Sequence, residues 1–200
     1  MANYSPEMPQ KLAEAAFRLF SRAGFDRVSV GEVAKEAGVT KGSFYWHFKS
    51  KRELIDAACA HYYRLYQRRM HAAAATASDP LKRLEKVVHL TVRTCLMDAE
   101  NRLFTMEILR LAMEDAGMRS AWRQFYDNAR EMFVALVEAA RIAGQLEVED
   151  ARKAVNVMLD ALEGIKLRAL YEPELCSPEA ERITSEQLMG ILQAAGQPAA

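Results

Sequence analysis

The stretch SVGEVAKEAGVTKGSFYWHFKSK, Ser29 to Lys51, decides how the rest of the 200-residue chain is read. Ser29 followed three residues later by Glu32 has the form of a capping box, so a helix starts there. Val33, Ala34 and Ala37 share the inward face of that short helix, and Gly38 stops it. Thr40 then caps a third helix of about two turns that ends near Phe48. Two short helices, over 29–37 and 40–48, joined by a turn at Gly38-Val39, make a helix-turn-helix. On the second of them Phe44 and Phe48 lie one turn apart and point inward, with Gly42, Ser43, Tyr45 and Trp46 broadly opposite. An exposed tyrosine and tryptophan on so short a helix suit a surface that enters a DNA major groove, where aromatic edges touch thymine methyls or sugars. Gly42 lowers helix stability by about 1 kcal/mol relative to alanine, and bare backbone there lets DNA approach closely. Lys41, His47, Lys49 and Lys51 flank this face and are placed to meet phosphates.

The charge pattern agrees. The chain is formally neutral, but residues 1–70 carry 12 Lys+Arg against 7 Asp+Glu, and residues 71–200 carry 15 against 20. A basic first third on an acidic remainder fits a polyanion-binding head on a body with another task. Half the residues are apolar, yet no apolar run is long enough for a membrane span. Met1–Gln10 holds two prolines and no apolar core, so no secretory leader is expected. Cys59, Cys95 and Cys176 are odd in number and far apart, which fits a reducing cytoplasm better than a disulfide framework. No Cys-x-x-Cys occurs and the four histidines are not paired at helical spacing, so no metal site is expected. No nucleophile–base pair and no phosphate loop suggests an enzyme, and no cofactor is implied.

Working outward, nearly every periodic segment has the 3.6-residue period. Nine helices are expected. The first spans about 6–23, with Leu12, Ala15, Ala16, Leu19 and Phe20 on one face and Gly24 as a left-handed cap. Ser50 and Glu53 open a fourth from Lys51 to about Ala75, and Asp79-Pro80 a fifth. Others follow over about 100–115, 118–142 and 149–171, and Ser177-Pro178 opens the last, to about Ala195, before a frayed tail. The expected fold is all-α: a three-helix head over 1–50, and a ligand-binding and dimerisation bundle over 51–200 whose helix 51–75 links the two.

VTKGSFYWHFKSK, Val39 to Lys51, closely resembles the TetR family of bacterial repressors, and Ser29 to Gly38 fits the same pattern with Val33 where isoleucine is more usual. The resemblance implies that Thr40, Lys41, Ser43 and Trp46 face bases. It further implies that Tyr45, His47 and Lys51 grip phosphates and that Phe48 is core. With Ser29 and Gly42 these are the candidate contacts to a near-palindromic double-stranded operator. DPLKRLE, Asp79 to Glu85, and RLFTMEIL, Arg102 to Leu109, are similar to the AcrR branch, whose repressors control multidrug efflux pumps and sense lipophilic drugs. The segment after Leu109, Arg110-Leu-Ala-Met-Glu-Asp, departs from that branch's usual polar residues.

The body supplies soft and aromatic side chains of the kind that line ligand pockets and also fill cores. Tyr62, Tyr66, Met70, Val92, Cys95, Phe104, Leu111, Phe125 and Met158 are the candidate pocket residues for a lipophilic small-molecule inducer. Glu107, inside an apolar run, suits a cationic ligand or a surface pair with Arg110 or Arg102. Arg119, Arg123 and Arg130 offer a rival, the phosphates of an acyl-CoA, or else form a wet helix face. Cys59 and Cys95 are candidate sensors or spectator thiols. The eighth helix is apolar on more than one face and must be buried on both, either by the chain's own core on one side and a second copy on the other or within one large bundle. Val157, Ala161, Leu167 and Leu170, with Leu188, Ile191 and Leu192 of the ninth helix, are the expected homodimer face, and the family resemblance implies a four-helix interface there. An architectural DNA-binding protein without a ligand is the remaining alternative.

Overall fold

A computed structural model describes residues 7–194, and all secondary structure among them is helical. The order is α1 (Met8–Ala23), α2 (Val30–Glu36), α3 (Lys41–Tyr45), α4 (Lys51–Ala75), α5 (Pro80–Val92), α6 (Ala99–Glu114), α7 (Ala116–Ile142), α8 (Ala151–Arg168) and α9 (Pro178–Ala194). The tail expected to fray, 196–200, lies outside the described residues.

Two short segments escape the 3.6-residue pattern. Arg93–Met97 continues α5 as one π turn, closed by the Asp98 N–H on the Arg93 carbonyl at 3.1 Å. Asp98 then caps α6, accepting from Asn101 N at 3.0 Å. Pro173–Cys176 forms a single 3-10 turn. Helix α8 ends at Arg168, earlier than the expected 171, because Leu170, Tyr171 and Glu172 turn back onto the carbonyls of Leu167 and Arg168 ahead of Pro173.

The chain divides into two compact units. The first joins the described residues up to Tyr66 with Leu103–Trp122, and the second joins Gln67–Arg102 with the chain from Arg123 onward. Helices α4, α6 and α7 therefore contribute to both.

The first unit is built on aromatic packing. Phe104 of α6 is fully buried and meets Phe17 and Phe25 edge-on, with ring centroids 4.9 and 5.6 Å apart, and Tyr62 at 5.4 Å. Phe20 completes the cluster against Phe25. Each such ring taken from water contributes about 2–3 kcal/mol. Helix α1 packs on α2, and Arg18 links them through Glu36 at 3.2 Å while also holding Glu14.

In the second unit α9 packs on α5 and α8. Leu84, Val88, Met158, Leu162, Leu188 and Leu192 are among its buried residues. The register of α9 corrects the expected dimer face. Thr184, Leu188 and Leu192, four residues apart, form its buried stripe, so Leu188 and Leu192 belong to the chain's own core. On α8 the outward side chains Val157 and Leu167, and Leu170 in the turn just after it, are each about half exposed, with Ala161 half-buried. Arg152 of α8 forms a double hydrogen bond with Glu131 of α7, and Asn156 accepts from Arg130 at 2.6 Å. Lys166 is only 2% exposed, a buried cation on the apolar face of α8 that the periodicity does not announce; its Nζ donates to Glu163 at 2.6 Å.

Candidate nucleic-acid interface

The helix-turn-helix assembles from contacts three to five residues apart. Ser29 Oγ accepts from Glu32 N at 3.2 Å, while the Glu32 carboxylate accepts from Ser29 N and Oγ at 2.7 Å each, so both halves of the capping box are present. Those bonds, the backbone one foremost, hold the Glu32 carboxyl below its ordinary range. Gly38, at φ +73°, makes the turn: its N–H reaches Lys35 O, and Val39 N reaches Ala34 O at 2.9 Å. Thr40 Oγ1 accepts from Ser43 N at 3.1 Å and launches α3. The hydroxyls of Ser29 and Thr40 thus cap helices, whatever else they touch.

Helix α3 is fixed from beneath and bare above. Phe44 is fully buried and stacks on Phe48 at 5.6 Å, also buried. Trp46 is 78% exposed and Tyr45 52%. Lys41 and Gly42 are exposed, and Ser43 and His47 half-buried. A Cβ on Gly42 would meet only Thr40 Oγ1, at an ordinary 3.7 Å, so the space above it is open. Beside the helix lies a depression of about 450 Å3 lined by Asp26, Arg27, Ser29, Lys41, Tyr45 and Lys51, among others. Lys51 Nζ donates to the Asp26 carbonyl at 3.3 Å. The surface is therefore a protruding aromatic pair edged by cations. Aromatic edges and cations are the groups that meet base edges and phosphates in protein–DNA contacts generally.

Helix α6 and its junction with α7 brace the same unit. Arg52, next to Lys51, grips Asp115 through Nη1 at 2.5 Å and Nη2 at 2.8 Å, and reaches Asp56 at 3.1 Å. Asp115 also caps α7 by accepting from Met118 N at 2.6 Å. The guanidinium contact, aided by that N–H, holds the Asp115 carboxyl at about 2.

The expected pocket residues are shared between the two units. Tyr62, Tyr66, Phe104, Glu107 and Leu111 lie in the first unit, and Met70, Val92, Cys95, Phe125 and Met158 in the second. Tyr62 and Phe104 are core of the aromatic cluster. Glu107, read as a carboxylate for a cationic ligand or as a surface partner of Arg110 or Arg102, pairs with Arg110 at 3.2 Å, and its Oε2 also accepts from Phe25 N in the α1–α2 turn at 3.4 Å. In the second unit Thr91 Oγ1 donates to Met70 Sδ at 3.4 Å, and Met70 and Val92 are fully buried. Of the arginines considered for acyl-CoA phosphates, Arg119 donates to the Ala112 carbonyl and Arg130 holds Asp127 and Asn156. Desolvation pushes the Cys59 thiol well above its usual range and the Cys95 thiol up to about 11, although the Lys166 ammonium acts against the latter. Neither favours a reactive thiolate. Among the described residues, no three His, Cys, Asp or Glu side chains gather in a way that could hold a metal ion, and no helix is long and apolar enough to cross a membrane.

The model of the bacterial regulatory proteins of the tetR family matches residues 12–58, which contain the whole helix-turn-helix. The chain is 32% identical over 178 residues to the HTH-type transcriptional regulator TtgR of Pseudomonas putida, covering 84% of this chain and 82% of that one. The chain belongs to the TetR family. It is 27% identical over 177 residues to the transcriptional regulator AcrR of Shigella flexneri, covering 84% and 80%, which places it on the AcrR-like side of the family. In fold it matches a transcriptional regulator from Saccharomonospora viridis, crystallised in complex with choline, with a TM-score of 0.82 over 93% of this chain and 97% of that one at 20% identity. A TetR-family chain of this kind is a DNA-binding transcriptional regulator, and its relatives are regulators and not enzymes.

Several contributors to this surface were not legible in the motif. Arg27 and Asp26 line the depression, and only the fold brings Arg110 against Asp26, 84 residues away in sequence. The pair Arg52–Asp115 spans 63 residues, and no local spacing could have found it.

Proposed function

We propose that the protein is a homodimeric, ligand-responsive repressor that binds a near-palindromic operator through residues 1–50 and is released by a small lipophilic inducer bound within 51–200. The observation that carries the reading is Trp46, exposed beside Tyr45 at the end of α3, while Phe44 and Phe48 on the opposite side are buried. Thr40, Lys41, Ser43 and Trp46 face bases, with Gly42 admitting the backbone, while Tyr45, His47 and Lys51 hold phosphates and Ser29 supports the entry of α2. The exposed apolar residues Val157, Leu167 and Leu170, joined by Tyr171 and Ile183, support a second copy docking on α8 and α9. Twofold symmetry would set two recognition helices one DNA turn apart, roughly 34 Å.

Helix α4 contributes to both units and carries Lys51 and Arg52 at its start, so a ligand that displaces it acts on the DNA surface directly. To empty the operator the ligand must favour the released state by several kcal/mol, on the order of 5 for a near-complete shift. The AcrR-like resemblance supports lipophilic drugs as inducers, an efflux system as the controlled gene and action in the cytoplasm. The choline held by the S. viridis regulator adds small cations as a class to test.

Fluorescence anisotropy on labelled DNA from upstream of the protein's own gene tests this, against scrambled DNA at several salt concentrations. Lipophilic cations, acyl-CoAs and aromatic acids are then added. Sequence-preferring binding released by one class establishes the switch and its chemistry. Equal, wholly salt-controlled binding to both DNAs, unaffected by every compound, would leave only the phosphate term and favour an architectural role.

A further inference from the structure

The depression beside α3 holds three cations among its lining residues, Arg27, Lys41 and Lys51, and one acid, Asp26. Lys51 leans inward to the Asp26 carbonyl. Arg27 and Lys41 enter no ion pair among the described residues. The acid is not left to act alone: Arg110 Nη2, from α6, lies 3.0 Å from Asp26 Oδ2 and 3.2 Å from Glu107 Oε2. The other carboxylate close to Lys51, that of Glu32, is committed to Ser29. At physiological salt a carboxylate repels a phosphate over a screening length of roughly 8 Å, whereas a carboxylate bound by a guanidinium presents little net charge.

We propose that this depression seats one backbone phosphate of the operator, with Arg27 as a cation contacting it and Arg110 keeping the seat cationic by neutralising Asp26. The inference rests on the DNA-binding reading and extends it to two residues outside the recognition helix. Arg110 acts through Asp26 and is a positioning residue. Its place on α6 gives that helix an electrostatic hold on DNA affinity. Arg110 is shared with Glu107, so drawing it away leaves two acids, Asp26 and Glu107, without their cation beside the phosphate.

The test is anisotropy titration of operator and scrambled duplexes of equal length across a range of salt, with thermal melting of each variant as the control for folding. Arg27→Ala should lower the slope of log K against log salt by about 0.9, one phosphate contact, equally on both duplexes. Arg110→Met should weaken binding to both by about three- to tenfold. Asp26→Asn alone should bind at least as tightly as wild type, and Asp26→Asn with Arg110→Met should bind more tightly than Arg110→Met alone. A slope unchanged by Arg27→Ala overturns the phosphate seat. A double variant as weak as Arg110→Met overturns the neutralisation and makes Arg110 purely structural. Wild-type protein that binds neither duplex would overturn the DNA-binding reading itself, and this inference with it.

Discussion

Arg52 and Asp115 form a two-pronged ion pair, 2.5 and 2.8 Å, that ties the first turn of α4 to the start of α7. Because Asp115 also caps α7, one carboxylate serves both a tertiary contact and a helix start. Its pKa sits at about 2, below the ordinary 3.8, so the pair stabilises the fold fully above pH 4 and loses that contribution as pH falls through about 2. Asp115→Asn should lower Tm by about 2–4 °C at neutral pH, and the gap to wild type should close between pH 4 and pH 2. Melting curves followed by circular dichroism across that range check it; a gap independent of pH would show that the charge is immaterial.

Trp46→Ala should leave Tm within about 1 °C of wild type, because the indole is 78% exposed. Preference for operator over scrambled DNA should fall by about tenfold or more. Unchanged discrimination in competition titrations would remove Trp46 from the base-reading set.

Two glycines should respond oppositely to alanine. Gly24 sits at φ +83°, and an added Cβ would lie 3.1 Å from Glu107 Oε1, so Gly24→Ala should destabilise by about 1–3 kcal/mol. Gly42 has open space above it, so Gly42→Ala should hold or raise stability by up to about 1 kcal/mol while weakening DNA binding. Denaturant unfolding paired with anisotropy separates the two effects.

Phe104→Ala should destabilise by about 3–5 kcal/mol, since it removes the ring on which Phe17, Phe25 and Tyr62 converge. A ligand-lining role alone would leave the unliganded protein's unfolding midpoint nearly unmoved. Urea unfolding without ligand decides between them.

On the proposed dimer face, Leu167→Glu should yield monomers that keep their helical content, because this side chain is 56% exposed in the single chain. Leu188→Ala, by contrast, should destabilise the fold by about 2–5 kcal/mol, its side chain being 1% exposed. Sedimentation and melting of the two variants would expose any exchange of these roles.

The helix-turn-helix is legible in the chain because everything that builds it is local. Ser29 with Glu32 and Thr40 with Ser43 bond backbone three residues away, and Gly38 supplies a backbone angle that side chains resist. Phe44 and Phe48 declare the buried face by their spacing alone. Periodicity likewise places nine helices, but it reports that a residue is apolar, not which neighbour covers it. Leu188 and Leu192 look as suited to a partner as Leu167 does, and only the packing of α9 on α5 and α8 turns them inward. The same limit hides Lys166, whose charge is tolerated in the interior because Glu163 meets it there. Glu107, Arg110 and Asp115 read as ordinary helix-surface charges until the fold sets them against Phe25, Asp26 and Arg52. Contacts within a turn of helix are encoded by spacing. Contacts across 63 to 84 residues exist only once burial of Phe104 and its neighbours has fixed where α6 lies.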